Sequence, residues 1–262
     1  PLPTDVVGPD GIDPRWTRTA AACDFMEAAM PYFKRMHEMT PDHVHEEIQL
    51  LAIDFSSMFF ETLAPVPAWR DRFLATDQVP HYEYLKTVLK VLTFLRGGQR
   101  WVLKSPQHLE QYPAIRQVFP DATVVVTHRD PVAVTASMVT MIAYTQRMQH
   151  ERVDPHAVGA LWSDRLQRML GSAVAERDLL PEAQSMDVRF DEFMADDLAT
   201  VAAIYELADQ PLDDRARAAH AGYLASHRRE RHGGLVYDLA DFGLDATELA
   251  SGFADYTTRF LS

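Results

Sequence analysis

Two segments of this sequence each place one cation where an anion could be bound. In WVLKSPQH, residues 101–108, a short apolar run ends at Lys104. In TVVVTHRDPVAVTAS, residues 123–137, a β-branched run ends shortly before Arg129. Ammonium and guanidinium groups are the side chains that proteins use to bind phosphate and similar oxyanions. The two segments therefore indicate a site for an anionic ligand.

The sequence predicts that both cations follow strands of a parallel sheet. Residues 101–104 fit a short buried strand, and residues 123–127 fit a second one. Between them, Ser105 can cap a helix that has Pro106 at its first position. Asp130 can cap the helix that follows the second strand. This βαβ pattern predicts parallel strands whose carboxyl ends share one crevice, where α/β proteins bind ligands.

Ser137 and His108 extend this hypothesis to specific chemistry. Ser137 lies about two turns into the helix after Arg129, so its hydroxyl and the N–H groups at the helix start could bind one phosphate. His108 lies in the first turn after Lys104, where the helix dipole favours a neutral imidazole that can accept a proton. Taken alone, Arg129 is more simply explained as a surface ion-pair residue, Ser137 as an incidental helix residue and His108 as a capping or surface histidine.

The His128-Arg129-Asp130 sequence and the Asp-Phe-Gly at residues 241–243 also match two protein-kinase signatures. A kinase catalytic loop requires an asparagine five residues after its aspartate, and this chain has Thr135 at that position. The Asp-Phe-Gly signature would also have to follow soon after the catalytic loop. The sequence therefore argues against a kinase.

The rest of the chain predicts a helix-rich α/β protein. Residues 16–98 carry apolar residues at helical spacing, and the Gly-Gly pair at their end is a strong stop. SMDVRF, residues 185–190, fits a third strand, and a helix is expected over residues 191–208. The chain closes with a basic, glycine-bearing stretch, SHRRERHGGLVYDLADFGL, and a final helix that reaches Phe260.

The composition limits the classes of partner. The 262 residues carry a formal net charge of −13 and a single cysteine, Cys23. The acidic balance argues against nucleic acid or an anionic membrane as a partner, so a bound anion needs a local basic cluster. One cysteine excludes a disulfide framework or a multi-cysteine zinc site. Without a signal-peptide pattern or a long apolar run, a cytoplasmic location is expected.

In these segments the sequence resembles the sulfotransferases that use 3′-phosphoadenosine 5′-phosphosulfate (PAPS), in particular their bacterial, mycobacterial-type branch. WVLKSPQH resembles the family's strand and loop with the catalytic lysine, and THRDPVAVTAS resembles its 3′-phosphate motif. RHGGLVYDLADFGLD resembles the C-terminal loop that covers the cofactor. MHEMTPDHVHEE followed by HYEYLKTVLKVLTFL resembles the helical acceptor-side segment. The segments occur in family order over nearly the whole chain.

The resemblance implies a P-loop nucleoside-triphosphate-hydrolase-like sulfotransferase fold, with a parallel sheet flanked by helices. It implies one domain over residues 1–262, with a helical acceptor-side region at residues 16–98 and an α/β cofactor-binding region at residues 99–262. It further implies transfer of a sulfuryl group from PAPS to a hydroxyl or amine of a small-molecule, lipid or glycan acceptor. No metal, nucleic acid or membrane span is implied.

The resemblance also implies roles for individual residues. Lys104 would stabilise the charge that develops on the leaving phosphate oxygen. His108, or an acid such as Glu46 or Glu47, would take the proton of the acceptor. The residues implied in PAPS binding are Arg129, Ser137, Arg231 and Gly233, with Arg228 and Arg229 nearby.

For the helical region, simpler explanations compete with these roles. Glu46 and Glu47 are more readily placed on a solvated helix face. His37 and Glu38 could line the acceptor pocket or lie on a surface helix. Several aromatic residues have the periodicity of core positions. They are Phe55, Phe59, Phe60, Tyr82 and Tyr84.

Two features depart from the family. The chain has no glycine-rich phosphosulfate loop of the Gly-x-x-Gly-[Thr/Ser]-[Thr/Ser] type, so the N-terminal phosphate-loop strand is expected to be absent from it. Pro106 occupies the position where the animal enzymes have a histidine after the lysine. Two other hypotheses therefore stay open. One is a non-catalytic nucleotide-binding remnant, and the other is an ATP-using phosphotransferase that holds Mg²⁺ through a carboxylate such as Asp130.

Overall fold

The computed structural model describes residues 7–8, 11–228 and 231–262. The N-terminal part of the described chain is helical, as the spacing of its apolar residues predicts. Its helices are α1 (Pro14–Ala29), α2 (Phe33–Met36), α3 (Ile48–Ala52), α4 (Phe59–Leu63), α5 (Pro67–Ala75) and α6 (Val79–Arg96). Helix α6 stops at Gly97, which has a positive φ of 75°. Glycine adopts this conformation without a steric cost, so the predicted stop is confirmed.

The second part of the chain contains both strands of the described structure. Its strands are β1 (Val124–His128) and β2 (Ser185–Arg189). Its helices are a 3₁₀ segment (Pro106–Glu110), α7 (Tyr112–Val118), α8 (Pro131–Gln146), α9 (Pro155–Glu176), α10 (Phe190–Ala195), α11 (Asp197–Leu207), α12 (Asp214–Ser226), α13 (Ala246–Gly252) and α14 (Ala254–Phe260). Shorter 3₁₀ turns lie at Arg177–Leu179, Glu182–Gln184 and Ala240–Phe242.

Aspartate caps set the start of three long helices. Asp13, Asp130 and Asp154 each accept a hydrogen bond from the backbone N–H two residues further on, at 2.8–3.0 Å. In each case the first helical residue is proline, which has no N–H to leave unpaired. The predicted capping role of Asp130 is therefore confirmed.

The two strands pair in parallel, and the register aligns Val124 with Ser185 and His128 with Arg189. The β-branched run and the SMDVRF segment thus form the strands that the sequence predicts. Helices α8 and α9 lie between them in the chain and make the crossover. The carboxyl ends of the two strands meet at one edge, immediately before α8 and α10.

The strand predicted at residues 101–104 is wrong. This segment has no strand pairing in the described structure, and Trp101 and Val102 are 43% and 90% exposed. The side chains therefore lack the burial that a strand inside a parallel sheet requires. The N–H of Lys104 donates instead to the Glu47 carboxylate at 2.7 Å.

Three predicted helices are each divided into two. The helix after Ser105 becomes a 3₁₀ segment followed by α7, because Pro113 at the start of α7 has no N–H to continue the earlier turn. The helix expected over residues 191–208 breaks at Asp196, whose side chain caps α11. The final helix breaks at Phe253 into α13 and α14.

Helix α9 contributes to all three apolar clusters of the core. The first cluster joins α6, α7 and β1, and it includes Tyr82, Leu85, Val118, Val126 and Ala173. The second joins α8 and α9, and it includes Val139, Ile142, Trp162 and Met169. The third joins α9 to α13 and α14, and it includes Leu166, Leu170, Phe253 and Tyr256. Because α9 touches every cluster, its placement constrains the rest of the fold.

A buried arginine on α9 ties this core together. The side chain of Arg165 is 1% exposed and those of Glu61 and Glu110 are 6% and 3% exposed. The guanidinium donates to both oxygens of Glu61 at 2.9 and 3.1 Å and to both oxygens of Glu110 at 2.5 and 2.7 Å. Burial raises the pKa of Glu61, although the nearby Arg165 opposes this shift. The three charges connect α9, α4 and the 3₁₀ segment.

Removing the central cation should be costly. Arg165→Met leaves two carboxylates buried without a partner, so we expect a loss of about 3–5 kcal/mol in the free energy of unfolding. Urea denaturation followed by circular dichroism measures this change. Arg168→Met is the matched control on the same helix, because Arg168 is 55% exposed and pairs only on the surface with Asp164. Equal losses in both variants would contradict a special role for Arg165.

Candidate active site

Lys104 lies at the end of an extended segment that is fixed by two acidic residues. Its N–H donates to Glu47 Oε2 at 2.7 Å, and its ammonium group forms an ion pair with Glu46. The Lys104 side chain is 74% exposed, whereas that of Glu46 is 27% exposed. The backbone of Lys104 is thus anchored while its charged group remains accessible to a ligand.

His108, Glu47 and Tyr82 form a buried hydrogen-bonded array next to Lys104. The Nε2 atom of His108 contacts Glu47 Oε1, and its Nδ1 atom lies 2.7 Å from the Tyr82 hydroxyl. Burial and the charges of Glu47 and Glu110 raise the pKa of Tyr82 well above its usual value, so this hydroxyl stays protonated. Because the Glu47 carboxylate can only accept a hydrogen bond, the Nε2 atom of His108 carries a proton and donates it to Glu47.

Glu47 keeps its negative charge although the residue is only 4% exposed. Burial raises the pKa of this carboxyl group, but the hydrogen bond and the charge of His108 outweigh that effect. The N–H of Lys104 contributes in the same direction. The net pKa of Glu47 is lowered, so the array contains a carboxylate rather than a carboxylic acid.

The 3₁₀ segment that carries His108 is held along its length. Ser105 accepts a hydrogen bond from the N–H of Gln107 at 3.3 Å and caps the segment, as predicted. The fully buried Gln107 side chain accepts from the N–H of Met58 at 2.9 Å and donates to the carbonyl of Ser56 at 3.2 Å. At its end, Glu110 binds Arg165. These contacts fix His108 relative to α3 and α4.

The expectation that Glu47 lies on a solvated helix face is wrong. The residue occupies the position just before α3 without capping it, and its side chain is buried, because its oxygens have donors in His108 and Lys104. Tyr82 is fully buried, as its periodicity predicts, but it also binds His108. The apolar periodicity of these helices gives no sign of either contact, since both partners lie far away in the sequence.

Three histidine rings pack against one another, and one of them, His37, lies near the charge of Lys104. The ring centroids of His37 and His43 are 5.7 Å apart, and those of His43 and His45 are 5.3 Å apart. Burial, followed by the charge of His43, lowers the pKa of His37. In the described part of the chain, no group of three or more His, Cys, Asp or Glu side chains is arranged to hold a metal ion.

Arg129 lies at the junction between β1 and α8, and Ser137 lies near the middle of α8. Arg129 follows β1, is exposed, and places its guanidinium 4.5 Å from the centre of the Phe190 ring. Ser137 lies in α8, and its hydroxyl is 3.5 Å from the hydroxyl of Tyr237. Tyr237 belongs to the C-terminal loop, so this loop runs over the helix that carries Ser137.

His128, the first residue of the His-Arg-Asp sequence, has a structural role. It is 1% exposed, and its ring stacks on Phe260 with centroids 4.2 Å apart. Its Nε2 atom lies 2.8 Å from Asp187 and its Nδ1 atom 2.9 Å from the Tyr256 hydroxyl. His128 therefore joins β1 to β2 and to α14.

The Asp-Phe-Gly sequence is also structural. Phe242 is buried in the cluster between α8 and α9, and Gly243 adopts a left-handed conformation with a φ of 65°. A Cβ atom on Gly159 would lie 2.3 Å from the carbonyl oxygen of Phe242, so the turn packs directly on α9. Neither kinase-like match contributes a catalytic loop.

Arg231 and Gly233 lie in what we call the basic pocket, a cavity of about 250 Å³ between α2 and the C-terminal loop. It is lined by Lys34, Arg35, Glu38, Tyr223, His227, Arg228, Arg231, His232 and Gly233. Arg231 forms an ion pair with Glu38, and Arg35 donates to the carbonyl of Gly234 at 3.2 Å. Gly233 has a φ of 98° and approaches the Arg35 guanidinium closely. Arg229 lies outside the described residues.

The comparisons with known proteins agree with this architecture. Residues 9–214 match the sulfotransferase family. The structure resembles the crystal structure of sulfotransferase STF9 from Mycobacterium avium, with a TM-score of 0.81, 26% identity and coverage of 99% of this chain and 67% of that one. It also resembles sulfotransferase STF1 from Mycobacterium tuberculosis H37Rv, with a TM-score of 0.77, 31% identity and coverage of 91% and 62%. No curated protein gives a significant match.

The chain therefore belongs to the sulfotransferase family, because the family match covers more than half of its length. Its similarity to both mycobacterial proteins confirms the mycobacterial-type resemblance. The helix-rich α/β fold with a parallel sheet is also confirmed. The chain spans about two thirds of the length of each of these two proteins. Among the described residues, no helix is long and apolar enough to cross a membrane.

The contact between His128 and Asp187 predicts a specific dependence of stability on pH. Burial raises the pKa of Asp187, but hydrogen bonds from His128 and Arg177 lower it to about 2, against an ordinary 3.8. The carboxylate therefore stabilises the folded chain fully above pH 3.8, and this contribution is lost as the pH falls towards 2. Asp187→Asn should be less stable than the wild type at neutral pH and should lose less stability on acidification.

Chemical denaturation at neutral pH and at a pH between those two pKa values measures the effect. Asp24→Asn is a suitable control, because Asp24 is exposed on α1. Parallel acid profiles of the wild type and Asp187→Asn would contradict the assignment of this stabilisation to Asp187.

Proposed function

We propose that this chain transfers a sulfuryl group from PAPS to a hydroxyl or amine of an acceptor. The observation that carries the proposal is the accessible ion pair between Lys104 and Glu46. The backbone of Lys104 is anchored to the buried array of Glu47 and His108. Family membership supplies the reaction class. The geometry adds a cation for the leaving group, Lys104, in direct contact with a base for the acceptor, Glu46. A division into acceptor-side residues 16–98 and donor-side residues 99–262 belongs to the same proposal.

The donor nucleotide is assigned to the strand–helix junction. Arg129 would form a two-point charge-assisted contact with the 3′-phosphate, and Ser137 would donate a hydroxyl to it. The N–H groups at the start of α8 add a favourable partial charge. Arg231 and Gly233 belong to the loop that would close over the nucleotide. The contact between Tyr237 of this loop and Ser137 supports that arrangement.

Glu46 is the best-placed proton acceptor. Both ring nitrogens of His108 already have partners, and Glu47 is almost fully buried. Glu46 is partly exposed and lies against the Lys104 ammonium group, so it can contact an acceptor that approaches Lys104. Because the Lys104 side chain is largely exposed, it can turn from Glu46 towards a phosphate oxygen when the donor binds.

The sulfuryl transfer would proceed as an in-line displacement at sulfur. The acceptor oxygen or nitrogen forms a bond to sulfur while the bond between sulfur and the 5′-phosphate oxygen breaks. The acceptor proton passes to the Glu46 carboxylate. The electron pair of the broken bond stays on the phosphate oxygen, whose charge Lys104 neutralises. The products are a sulfated acceptor and adenosine 3′,5′-bisphosphate.

In this proposal, Glu47 and His108 act as positioning residues rather than as proton acceptors. Glu47 holds the N–H of Lys104, and His108 holds Glu47 through Nε2. Tyr82 fixes the orientation of the His108 ring. A preorganised cation of this kind costs no reorganisation during the reaction, which is how enzymes stabilise developing charge efficiently.

Isothermal titration calorimetry tests the donor site. We expect adenosine 3′,5′-bisphosphate to bind and ATP with Mg²⁺ not to bind. Arg129→Ala should weaken bisphosphate binding by roughly tenfold or more, since it removes a charge-assisted contact. Arg168→Ala, a surface change on α9, is the control. Binding of ATP alone would support a phosphotransferase, and a folded chain that binds neither nucleotide would contradict the proposal in favour of a non-catalytic remnant.

Sulfuryl transfer from PAPS to a panel of hydroxyl and amine acceptors tests the chemistry. Glu46→Gln should lower kcat by about 100-fold or more while leaving bisphosphate affinity unchanged, because it removes the base. Lys104→Ala should abolish turnover and largely spare bisphosphate binding. Glu83→Gln, an exposed change on α6, is the matched control. A greater loss in His108→Gln than in Glu46→Gln would assign the base role to His108, and full turnover of Lys104→Ala would remove Lys104 from the mechanism.

A further inference from the structure

Phe55 combines two features that are each unfavourable for a phenylalanine. Its backbone has a φ of 53°, in the left-handed region that a bulky side chain rarely adopts. The residue is also 76% exposed, so its ring gains little from burial in the folded chain. The core position that the periodicity predicts for Phe55 is therefore wrong. A strained backbone that presents an apolar ring to solvent indicates a role in binding.

The left-handed conformation follows from the way in which α3 ends. The N–H of Ser56 donates to the carbonyl of Leu51 at 3.3 Å. The N–H of Phe55 donates to the carbonyl of Ala52 at 3.1 Å. These are the two hydrogen bonds of a helix C-terminal turn in which glycine is the usual residue. A glycine at position 55 would close this turn without strain, so the local structure does not explain why a phenylalanine is present.

The Phe55 ring is the exposed end of a series of contacting rings that we call the aromatic row. Its members are Phe55, Phe60, Trp69 and Phe73. Successive ring centroids are 5.7, 5.4 and 5.2 Å apart, and the first and last pairs are stacked with interplanar angles of 12° and 11°. Phe73 is 4% exposed, so the row runs from the core to the surface. These contacts fix the Phe55 ring in place, so it is preorganised for a ligand.

The aromatic row reaches the surface close to the candidate active site. Phe55 lies just beyond the C-terminal end of α3, and Glu46 lies just before its N-terminal end. Helix α3 has five residues, which corresponds to a length of about 7.5 Å, so the two residues lie on the order of 10 Å apart. The carbonyl of Ser56 also accepts a hydrogen bond from Gln107 at 3.2 Å, next to His108. One extended acceptor molecule can therefore contact both Glu46 and Phe55.

The surroundings of Phe55 favour an uncharged, apolar occupant. Ile53 and Leu63, at the ends of α3 and α4, are 57% and 36% exposed and add apolar surface to this region. Asp54 directly precedes Phe55, and its partly exposed carboxylate contacts His81 at 2.7 Å. This carboxylate would repel a second negative group, such as that of a fatty acid or a lipid phosphate. An uncharged alkyl chain matches both the apolar ring and the neighbouring charge.

We propose that the aromatic row, through Phe55, binds an uncharged alkyl chain of the acceptor and so holds the acceptor hydroxyl at Glu46 and Lys104. This inference rests on the proposed function and narrows its acceptor to neutral alcohols that carry an alkyl chain. Binding removes the Phe55 ring from water, which supplies the burial that the folded chain alone does not give it. Only a chain long enough to span α3 reaches the ring.

Sulfuryl transfer from PAPS to 1-butanol, 1-hexanol, 1-octanol and 1-decanol tests the proposal on the full chain. We expect kcat/KM to rise with chain length, by about threefold for each CH₂ group that contacts the ring. Phe55→Gly should lower kcat/KM for 1-decanol by roughly tenfold or more, whereas Phe55→Tyr keeps an aromatic ring and should retain the rise. Phe94→Ala is the matched control, because it removes an 89% exposed ring about 18 Å along α6 from Tyr82.

The stability of Phe55→Gly separates a binding role from a structural one. Glycine adopts a φ of 53° without strain, so thermal unfolding should show this variant to be at least as stable as the wild type. A ring that only supported the fold would instead lower the stability and the turnover of every alcohol together. That result would overturn the inference, as would a wild-type kcat/KM that does not change with chain length.

Isothermal titration calorimetry with 1-decanol in the absence of PAPS distinguishes this inference from the proposed function. The wild type and Phe94→Ala should bind 1-decanol equally, and Phe55→Gly should bind it more weakly by roughly tenfold or more. Such binding by a chain that transfers no sulfuryl group would keep the alkyl site and contradict the proposed reaction. Equal affinities of the wild type and Phe55→Gly would overturn the alkyl site and leave the proposed reaction in place.

Discussion

The ion triad centred on Arg165 is the constraint on which the rest of this structure depends. A guanidinium with so little exposure is tolerated because Glu61 and Glu110 neutralise its charge and accept hydrogen bonds from all three of its nitrogen atoms. Those carboxylates belong to different elements, so the charge requirement brings α4, α9 and the 3₁₀ segment to one point. The same 3₁₀ segment carries Gln107 and His108. The placement of the candidate site is therefore a consequence of a buried charge that must be neutralised.

A second buried charge, on Glu47, has the corresponding effect within the site. Its carboxylate accepts hydrogen bonds from His108 and from the N–H of Lys104, and these contacts offset its desolvation. The backbone is held rigidly in this way, while the Lys104 ammonium group remains exposed beside Glu46. Preorganisation and accessibility are thus divided between the main chain and the side chain of one lysine. This division is what the proposed role of Lys104 requires, since the lysine would then meet a charge only when the reaction produces it.

The His-Arg-Asp sequence shows how three consecutive residues can serve three separate purposes. His128 is buried and joins the two strands to α14, and Asp130 caps α8. Arg129 is exposed at the end of β1, where a ligand could reach it. The resemblance to a kinase motif has no functional content. His128 is present because it packs between the strands and α14, and Asp130 because it caps α8. The similarity to mycobacterial sulfotransferases extends instead over nearly the whole chain.

The sequence by itself determined the features that depend on neighbouring residues. Both strands of the sheet, the Asp130 cap, the Gly97 stop and the family could all be predicted, because β-branched runs, capping residues and ordered motifs are local patterns. Only the tertiary structure decided that residues 101–104 leave the sheet and that Glu47 is buried. Each of those outcomes depends on a partner distant in the chain, so the spacing of apolar residues in the sequence cannot predict it. Burial of a charge is favourable only when its partners arrive from elsewhere, and that condition is met in three dimensions alone.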